Sequence, residues 1–351
     1  LLRNANRAGA VAEILPEKTA VNILLSEAPG GPESLILTTL EKPEPGPGEV
    51  RIRVRMVGVN YPDTLVIEDR YQIRPPRPFA PGGEFVGEID ALGAGVEGLA
   101  VGQRVMALPL WGAMAEWVCV AADKCHPVPE GVSDEAAAAL QMTYGTSLYA
   151  LEERGGLKAG ETVVVLGAAG GIGLASVELA KHLGAKVIAC VSSEEKAQTA
   201  RDHGADEVLI YPAGPLDRDA AKEFSNGLKA LTGAKGADVV VDAVGGSYSE
   251  PALRCMAWGG RFLIVGFPAG IAQIPANLPL LKSCDIRGIF WGAAVERDPE
   301  ANRKAMQRLL ALCQAGHIRP RIDRVYPLSE GGAAIAALSA RGVRGKVLVA
   351  L

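Results

Sequence analysis

The stretch Thr162–Lys196, TVVVLGAAGGIGLASVELAKHLGAKVIACVSSEEK, decides the fold. Val163–Leu166 is a short, β-branched apolar run, the composition of a strand buried on both faces of a parallel sheet. A glycine turn, Gly167–Gly173, follows directly. Ile172, Ala175, Leu179 and Leu183 then recur at helical spacing, and Gly184 supplies the stop. A second apolar run, Lys186–Val191, completes strand–turn–helix–strand, the context in which a dinucleotide fingerprint carries weight. Gly170 lets backbone approach a pyrophosphate, and Gly173 lets helix and strand pack closely. The helix N-terminus would face the phosphates with unpaired N–H groups and a partial positive charge. Ala169, Gly170, Gly171, Ile172 and Gly173 are therefore the expected contacts on the phosphate side. Ala168 stands where the usual pattern has its first glycine, so the motif is A-x-G-x-x-G. A plain αβ turn is the alternative.

Downstream, the same alternation continues. The helix Glu194–His203 leads to the strand EVLIY, and a polar helix over Asp217–Leu231 leads to ADVVVDAVGG. A helix around Ser249–Met256 precedes RFLIVGF. Strands alternating with helices at this spacing predict a doubly wound parallel sheet. Upstream the texture is β-rich. In VRIRVRMVGVN, Val50, Ile52, Val54 and Met56 alternate with Arg51, Arg53 and Arg55, a strand with one apolar face. Its arginines fit a solvated face better than an anion site. EFVGEIDALG, QRVMALPL and MAEWVCVAAD add short strands separated by Gly/Pro turns, the pattern of a barrel-like domain. A helical region begins at Asp134–Leu140 and runs through MTYGTSLYALEERG. Beyond the α/β segment come the strand-like DIRGIFWGA, a helix from about Glu300 to Ala315, and a β-type tail ending GKVLVAL.

At 351 residues, two domains are the natural expectation. Hydrophobic residues make up 48% and charged residues 22%, a balance that supports real cores. The net charge of −4, with Lys and Arg scattered, gives no footprint for nucleic acid or an anionic membrane. No apolar run approaches the roughly 20 residues of a membrane span. Cysteines 119, 125, 190, 255, 284 and 313 are dispersed, which suggests buried reduced thiols and a cytoplasmic protein. Residues 1–18 fit nothing that follows and are read as a disordered extension. Arg3 and Arg7, with no acid before Glu13, give them a faint likeness to a targeting presequence.

The motifs GVNYPDTLV, PGGEFVGEI, VGQRVMAL, YGTSLYAL, LGAAGGIGLASVELAKHLGA, VDAVGG and RGKVLV occur in this order. Together they resemble the zinc-free quinone oxidoreductases of the medium-chain dehydrogenase/reductase superfamily, and more loosely zeta-crystallin. The resemblance runs from about Val21 to Leu351. It implies an α/β fold in which a Rossmann doubly wound parallel sheet, residues 146–294, is inserted in a GroES-like β-barrel substrate domain. That second domain would comprise 19–145 and 295–351. It also implies a homodimer paired near the last Rossmann strand, Asp285–Gly292.

Zinc-dependent members polarise the substrate oxygen with a metal held by Cys and His. The position expected for that Cys falls in Val59-Asn60-Tyr61-Pro62-Asp63, which contains none, and the expected His is Gly83. No cysteine-dense lobe for a structural zinc exists. Cys125-His126 with nearby Cys119 is better explained as a strand edge, so no metal is expected. For the cofactor, NAD-binding units place an acid about twenty residues beyond the glycine turn. Here that tip is Val191-Ser192-Ser193, with Lys196 one turn later; hydroxyls and an ammonium suit a 2′-phosphate. The resemblance puts Ser192, Ser193, Lys196 and Tyr211 around that phosphate, hence NADPH. Ser192-x-x-Glu195 also fits a capping box, and Glu194 and Glu195 would repel a phosphate if they pointed inward.

At the reacting end, the resemblance implies that the nicotinamide lies near Asn60–Thr64, Thr146, Tyr149 and Val265-Gly266-Phe267. Tyr61, Val244 and Trp291 join the expected cofactor contacts. Asn60 is a candidate donor to a substrate carbonyl, and Asp63 a catalytic or merely loop-orienting residue. Many relatives carry a tyrosine at the position of Leu65; its absence leaves Tyr71, or solvent, as proton donor. Arg341 and Lys346 are expected over cofactor phosphate, with a solvated strand position the alternative for Lys346. The expected function is metal-free, NADPH-dependent hydride delivery to a small-molecule quinone or other α,β-unsaturated carbonyl. The rivals are an enoyl-thioester or haloacrylate reductase, and a weakly catalytic NADPH-binding structural or RNA-binding protein.

Overall fold

The computed structural model describes residues 20–340 and 342–351; the extension read over residues 1–18, and Arg341, lie outside them. Strands β1 (Ala20–Leu25) and β2 (Ile36–Glu41) pair antiparallel as a small two-stranded sheet. Then come β3 (Glu49–Val59), β4 (Glu84–Leu92), β5 (Arg104–Ala107), β6 (Trp117–Ala121) and β7 (Cys125–Pro127). They build an antiparallel sheet in which β3, β4, β5 and β7 are successive neighbours and β6 also pairs with β3. The alternation along β3 is realised: Val50, Ile52 and Val54 are buried. Of its arginines, Arg51 is paired with Asp90 and Glu44, and Arg55 with Glu88 and Asp134. That face is ion-paired rather than merely solvated.

The next six strands are β8 (Thr162–Leu166), β9 (Lys186–Val191), β10 (Glu207–Ile210), β11 (Ala237–Asp242), β12 (Met256–Ile264) and β13 (Asp285–Gly288). They form one parallel sheet in the order β10-β9-β8-β11-β12-β13. Both faces are covered, which explains the continuous apolar runs. Val163 and Val165 enter one core with Val187, Val239 and Val241; Val164 and Leu166 enter another with Ile188 and Val240. The order reverses between β8 and β11, and in such sheets ligands bind in the crevice at the carboxyl ends of those strands.

Two boundaries differ from expectation. The strand read through Gly292 ends at Gly288, because its ladder partner β12 ends at Ile264, opposite Gly288; Trp291–Arg297 is helical. The helical region after Ser133 is not one helix. It runs as Asp134–Ala138, a wide-turned π-helical stretch Gln141–Gly145, a turn Thr146–Leu148, and a second π-helical stretch Tyr149–Arg154. Such stretches are frequent beside functional sites.

After the helix Pro299–Gln314, capped by the Asp298 side chain, the chain returns to the antiparallel sheet. Strand β14 (Ile322–Pro327) pairs with β15 (Lys346–Ala350), and β15 pairs antiparallel with β3, Val347 opposite Val59. The tail therefore completes the sheet that the N-terminal part begins, in the order β14-β15-β3-β4-β5-β7. Among the described residues no helix is long and apolar enough to cross a membrane.

Candidate active site

Strand β8 ends in the glycine turn. Gly167 adopts φ +68°, and Gly170 caps the helix Gly171–His182. A Cβ on Gly173 would lie 2.2 Å from the Gly167 carbonyl oxygen and 2.7 Å from Ala168 Cα, so helix and turn meet only because it is glycine. A Cβ on Gly170 would meet nothing nearer than that carbonyl, at 3.5 Å. Its outer side is open, as a cradle for an approaching phosphate requires. Across the switch point, buried Asp242 at the end of β11 accepts from the N–H groups of Val244 (2.9 Å) and Gly245 (2.8 Å) and from Ser249 Oγ. Burial raises its pKa, against those three hydrogen bonds. Val244 is thereby set against the glycine turn, its Cγ2 2.8 Å from where a Gly167 Cβ would stand. Gly266 and Phe267 follow the end of β12, with Phe267 exposed.

At the tip of β9, Ser193 caps the helix Glu194–Asp202: its Oγ accepts from the Lys196 backbone N–H at 3.3 Å. Lys196 Nζ reaches Ser192 Oγ at 3.2 Å, so the ammonium lies beside one of the two hydroxyls while the other caps the helix. Glu194 is held by Arg201 at 2.7 Å and Glu195 by Arg344 at 2.5 Å. Both acids are thus paired with arginines at the surface. Arg344, which the sequence reading missed, arrives from the tail; its signal was the basic run Arg341–Lys346. Tyr211, expected near the same phosphate, packs into a core with its phenol at the Gly167 backbone of the glycine turn. It is buried, with its ring 4.8 Å from Tyr248 and 5.4 Å from Phe224, and burial pushes its phenol well up.

At the expected reacting end lies a narrow cleft whose lining includes Asn60, Pro62, Asp63, Tyr71, Gly83 and Met142. Asn60 opens the short helix Tyr61–Ile67. Its side chain was expected to donate to a substrate carbonyl, but both amide hydrogens are already used: Nδ2 donates to Gly58 O at 3.0 Å and to Glu84 Oε2 at 2.9 Å. Lys346 also departs from expectation. Rather than a solvated or phosphate-covering residue, it is buried, donating to Asn60 Oδ1 at 2.7 Å and Glu84 Oε2 at 2.9 Å. Glu84 Oε1 accepts from the Met142 N–H at 3.0 Å. Glu84, fully buried, is a second residue that sequence reading passed over; an acid opening the apolar run Glu84–Val86 was its signal.

Asp63 accepts from the N–H groups of Asn60 (2.7 Å) and Gly82 (3.2 Å), a loop-orienting geometry. Burial pushes its carboxyl up to about 6, opposed by those hydrogen bonds and by Lys346. Tyr71, half-buried, has its phenol raised by burial and then by the Asp63 charge. Because the folded pKa of Asp63 lies above that of an unfolded aspartate, the native state binds more protons between about pH 4 and 6. Its contribution to stability is present at low pH and lost as pH rises through that interval, by up to about 1.4 kcal/mol per unit. Asp63→Asn should flatten the corresponding part of the stability–pH curve. Parent and variant denaturation midpoints that stay parallel from pH 4 to 7 would contradict this.

The other expected contacts lie outside the lining of this cleft. Thr146 is buried and its hydroxyl donates to Met142 O at 2.5 Å. Trp291 is buried against Gly145, where a Cβ would lie 2.6 Å from its ring. Tyr61 is exposed, and Tyr149 lines a separate open cleft with Phe290 and Arg297. Gly83, at the position of a zinc-binding histidine, lines the reacting cleft. Burial pushes His126 down to about 4 and Cys125 up to about 12, which keeps both neutral. Among the described residues no three His, Cys, Asp or Glu side chains are grouped to hold a metal ion.

Residues 46–130 match the model of the alcohol dehydrogenase GroES-like domain, and residues 171–311 that of the zinc-binding dehydrogenases. The chain is 39% identical to quinone oxidoreductase-like protein 2 of Bos taurus, over 87% of this chain and 86% of that protein. It is 34% identical to the quinone oxidoreductase of Pseudomonas aeruginosa, over 91% and 96%. Among solved structures, the Escherichia coli quinone oxidoreductase complexed with NADPH superposes with a TM-score of 0.84 at 28% identity, covering 95% of this chain and 100% of the other. With a parallel sheet inserted in an antiparallel one, a glycine turn at the switch point and these relatives, the chain belongs to the quinone oxidoreductase family of the medium-chain dehydrogenase/reductase superfamily.

Proposed function

We propose that this chain is an NADPH-dependent reductase that works without a metal and transfers a hydride to a quinone or other α,β-unsaturated carbonyl. The observation that carries this reading is the pairing of an open glycine cradle and the Ser192–Ser193–Lys196 cluster with a cleft that has no zinc ligands. The NADPH complex of the related Escherichia coli enzyme supports the choice of cofactor. When bound, NADPH supplies the two-electron hydride, and one proton from Tyr71 or solvent completes a hydroquinone or a saturated ketone. The chain's own share is binding, orientation and exclusion of water. The glycine turn and the helix N-terminus hold the pyrophosphate. Ser192, Ser193 and Lys196 take the 2′-phosphate through charge-assisted hydrogen bonds. Asp63 fixes the loop that carries Asn60, and the cleft walls place the acceptor.

We assign the cofactor domain to 146–294 and the substrate domain to 19–145 with 295–351, divisions supported by sheet membership. We also infer a homodimer: β13 is an edge strand, and Leu280, Leu281, Ile286 and Phe290 are exposed around it. Sedimentation of the purified chain checks that assembly, and a monomer at micromolar concentration would rule it out.

An NADPH-oxidation screen against quinones, enones, enoyl-thioesters and simple aldehydes tests the reaction. Quinones or enones should be reduced, aldehydes should not, and chelators should leave the rate unchanged. Loss of activity together with one tightly bound zinc per chain would overturn the metal-free reading, and preference for enoyl-thioesters would overturn the acceptor class.

A further inference from the structure

Three consecutive residues of the tail touch three separate parts of the site. Arg344 pairs with Glu195 beside the serine–lysine cluster. Gly345 donates its N–H to Ala169 O at 2.9 Å and bridges Gly170 in parallel register, so the tail is stitched onto the glycine turn. Lys346 then enters the reacting end, where its ammonium holds Asn60 and Glu84. The path is stiff. Gly345 has φ +97°, and a Cβ there would lie 2.3 Å from Arg321 O, while the Lys346 N–H donates to that same carbonyl at 2.8 Å. The Lys346 stem also runs close to the helix start, its Cδ 3.4 Å from where a Gly171 Cβ would stand. At the far end, Glu84 ties Asn60 and the Met142 backbone together, and both residues line the cleft.

We propose that Lys346 is a positioning residue: with Glu84 it carries the seating of the cofactor on the glycine turn, through Gly345, to the Asn60 and Met142 wall of the acceptor cleft. This rests on the reading of the cleft as the acceptor site and adds to it how the two halves of the site communicate. A buried ion pair contributes little net stability compared with apolar packing. Its role here lies in the geometry: each partner's hydrogen bonds end on a group that faces a ligand. If cofactor and acceptor sites share this rigid connection, binding at one strengthens binding at the other by the same factor in both directions.

The test uses oxidised cofactor and oxidised acceptor, which bind without reacting. NADP⁺ affinity is measured calorimetrically with and without saturating 1,4-naphthoquinone, in the parent and in the double variant Glu84→Gln/Lys346→Met. The double variant removes both charges, so neither is left buried alone; the glutamine oxygen can accept from the Met142 N–H, and its NH2 can donate to Asn60 Oδ1, which the loss of Lys346 frees, once the Asn60 amide turns. A thermal transition close to the parent's shows that it folds. In the parent, naphthoquinone should tighten NADP⁺ binding by about 5-fold or more, a usual size for coupled sites. In the variant that factor should fall at least threefold, whatever the change in NADP⁺ affinity without quinone. An unchanged factor, or a parent factor of one, would overturn the proposal. A parent that binds NADP⁺ but neither binds nor reduces quinones would instead overturn the acceptor reading on which it rests.

Discussion

Replacing Lys196 by alanine should weaken NADPH binding by roughly 10- to 100-fold and leave NADH binding almost unchanged. A hydrogen bond to a charged group contributes about 1.5–3 kcal/mol, and each 1.4 kcal/mol is about tenfold in affinity. The substitution is clean, because Ser193 caps its helix through the Lys196 backbone N–H, which alanine retains. What is lost is the ammonium beside Ser192. The neighbouring acids do not complicate the result, since Arg201 and Arg344 hold Glu194 and Glu195. Fluorescence titration of both cofactors decides it. If the two affinities fall together, Lys196 supports the fold of the tip rather than reading a 2′-phosphate.

The single substitution Lys346→Met should be the most destabilising of those considered, at about 3–5 kcal/mol, because it leaves the Glu84 carboxylate buried without its cation. The side chains of the pair are 5% and 0% exposed, so water cannot take over the missing role. Adding Glu84→Gln should recover most of the loss. The thermal midpoint of the single variant should drop by roughly 5–15 °C. A change below about 0.5 kcal/mol, the usual range for a surface position, would mean that Lys346 reaches solvent.

These two lysines also mark where sequence reading succeeds and where it stops. Lys196 lies one helical turn beyond a strand tip, so its neighbours follow from local geometry, and the structure puts it beside Ser192. The parallel sheet was legible for the same reason: apolar runs, glycine turns and helical periodicity are all local signals. Lys346 is different. Its partners, Asn60 and Glu84, are brought to it by the pairing of β15 with β3 and of β3 with β4, a non-local fact that no window along the chain contains. Without that pairing a lysine at the start of a short strand reads as solvated, and Asn60 reads as a free donor. Part of the setting of Tyr211 is non-local too. A tyrosine at a strand end suits a phosphate, but Phe224 and Tyr248 come from distant elements and make it part of a core. For Asp63 the loop-orienting alternative is local, because its N–H partner Asn60 is only three residues away.

The closure of β15 onto β3 has a consequence during synthesis. The six parallel strands from β8 to β13 are all made, and can pair, before β15 emerges. Until then β3, paired with β4 on one side, has its other edge open along Met56–Val59, where Ala350 to Val347 will eventually lie. An unpaired edge beside apolar side chains is a template for pairing with another nascent chain. Translation pausing between β14 and β15, or premature termination there, would release chains whose nucleotide-binding sheet is finished and whose other sheet is open along one strand. Such chains are the form of this protein most exposed to aggregation.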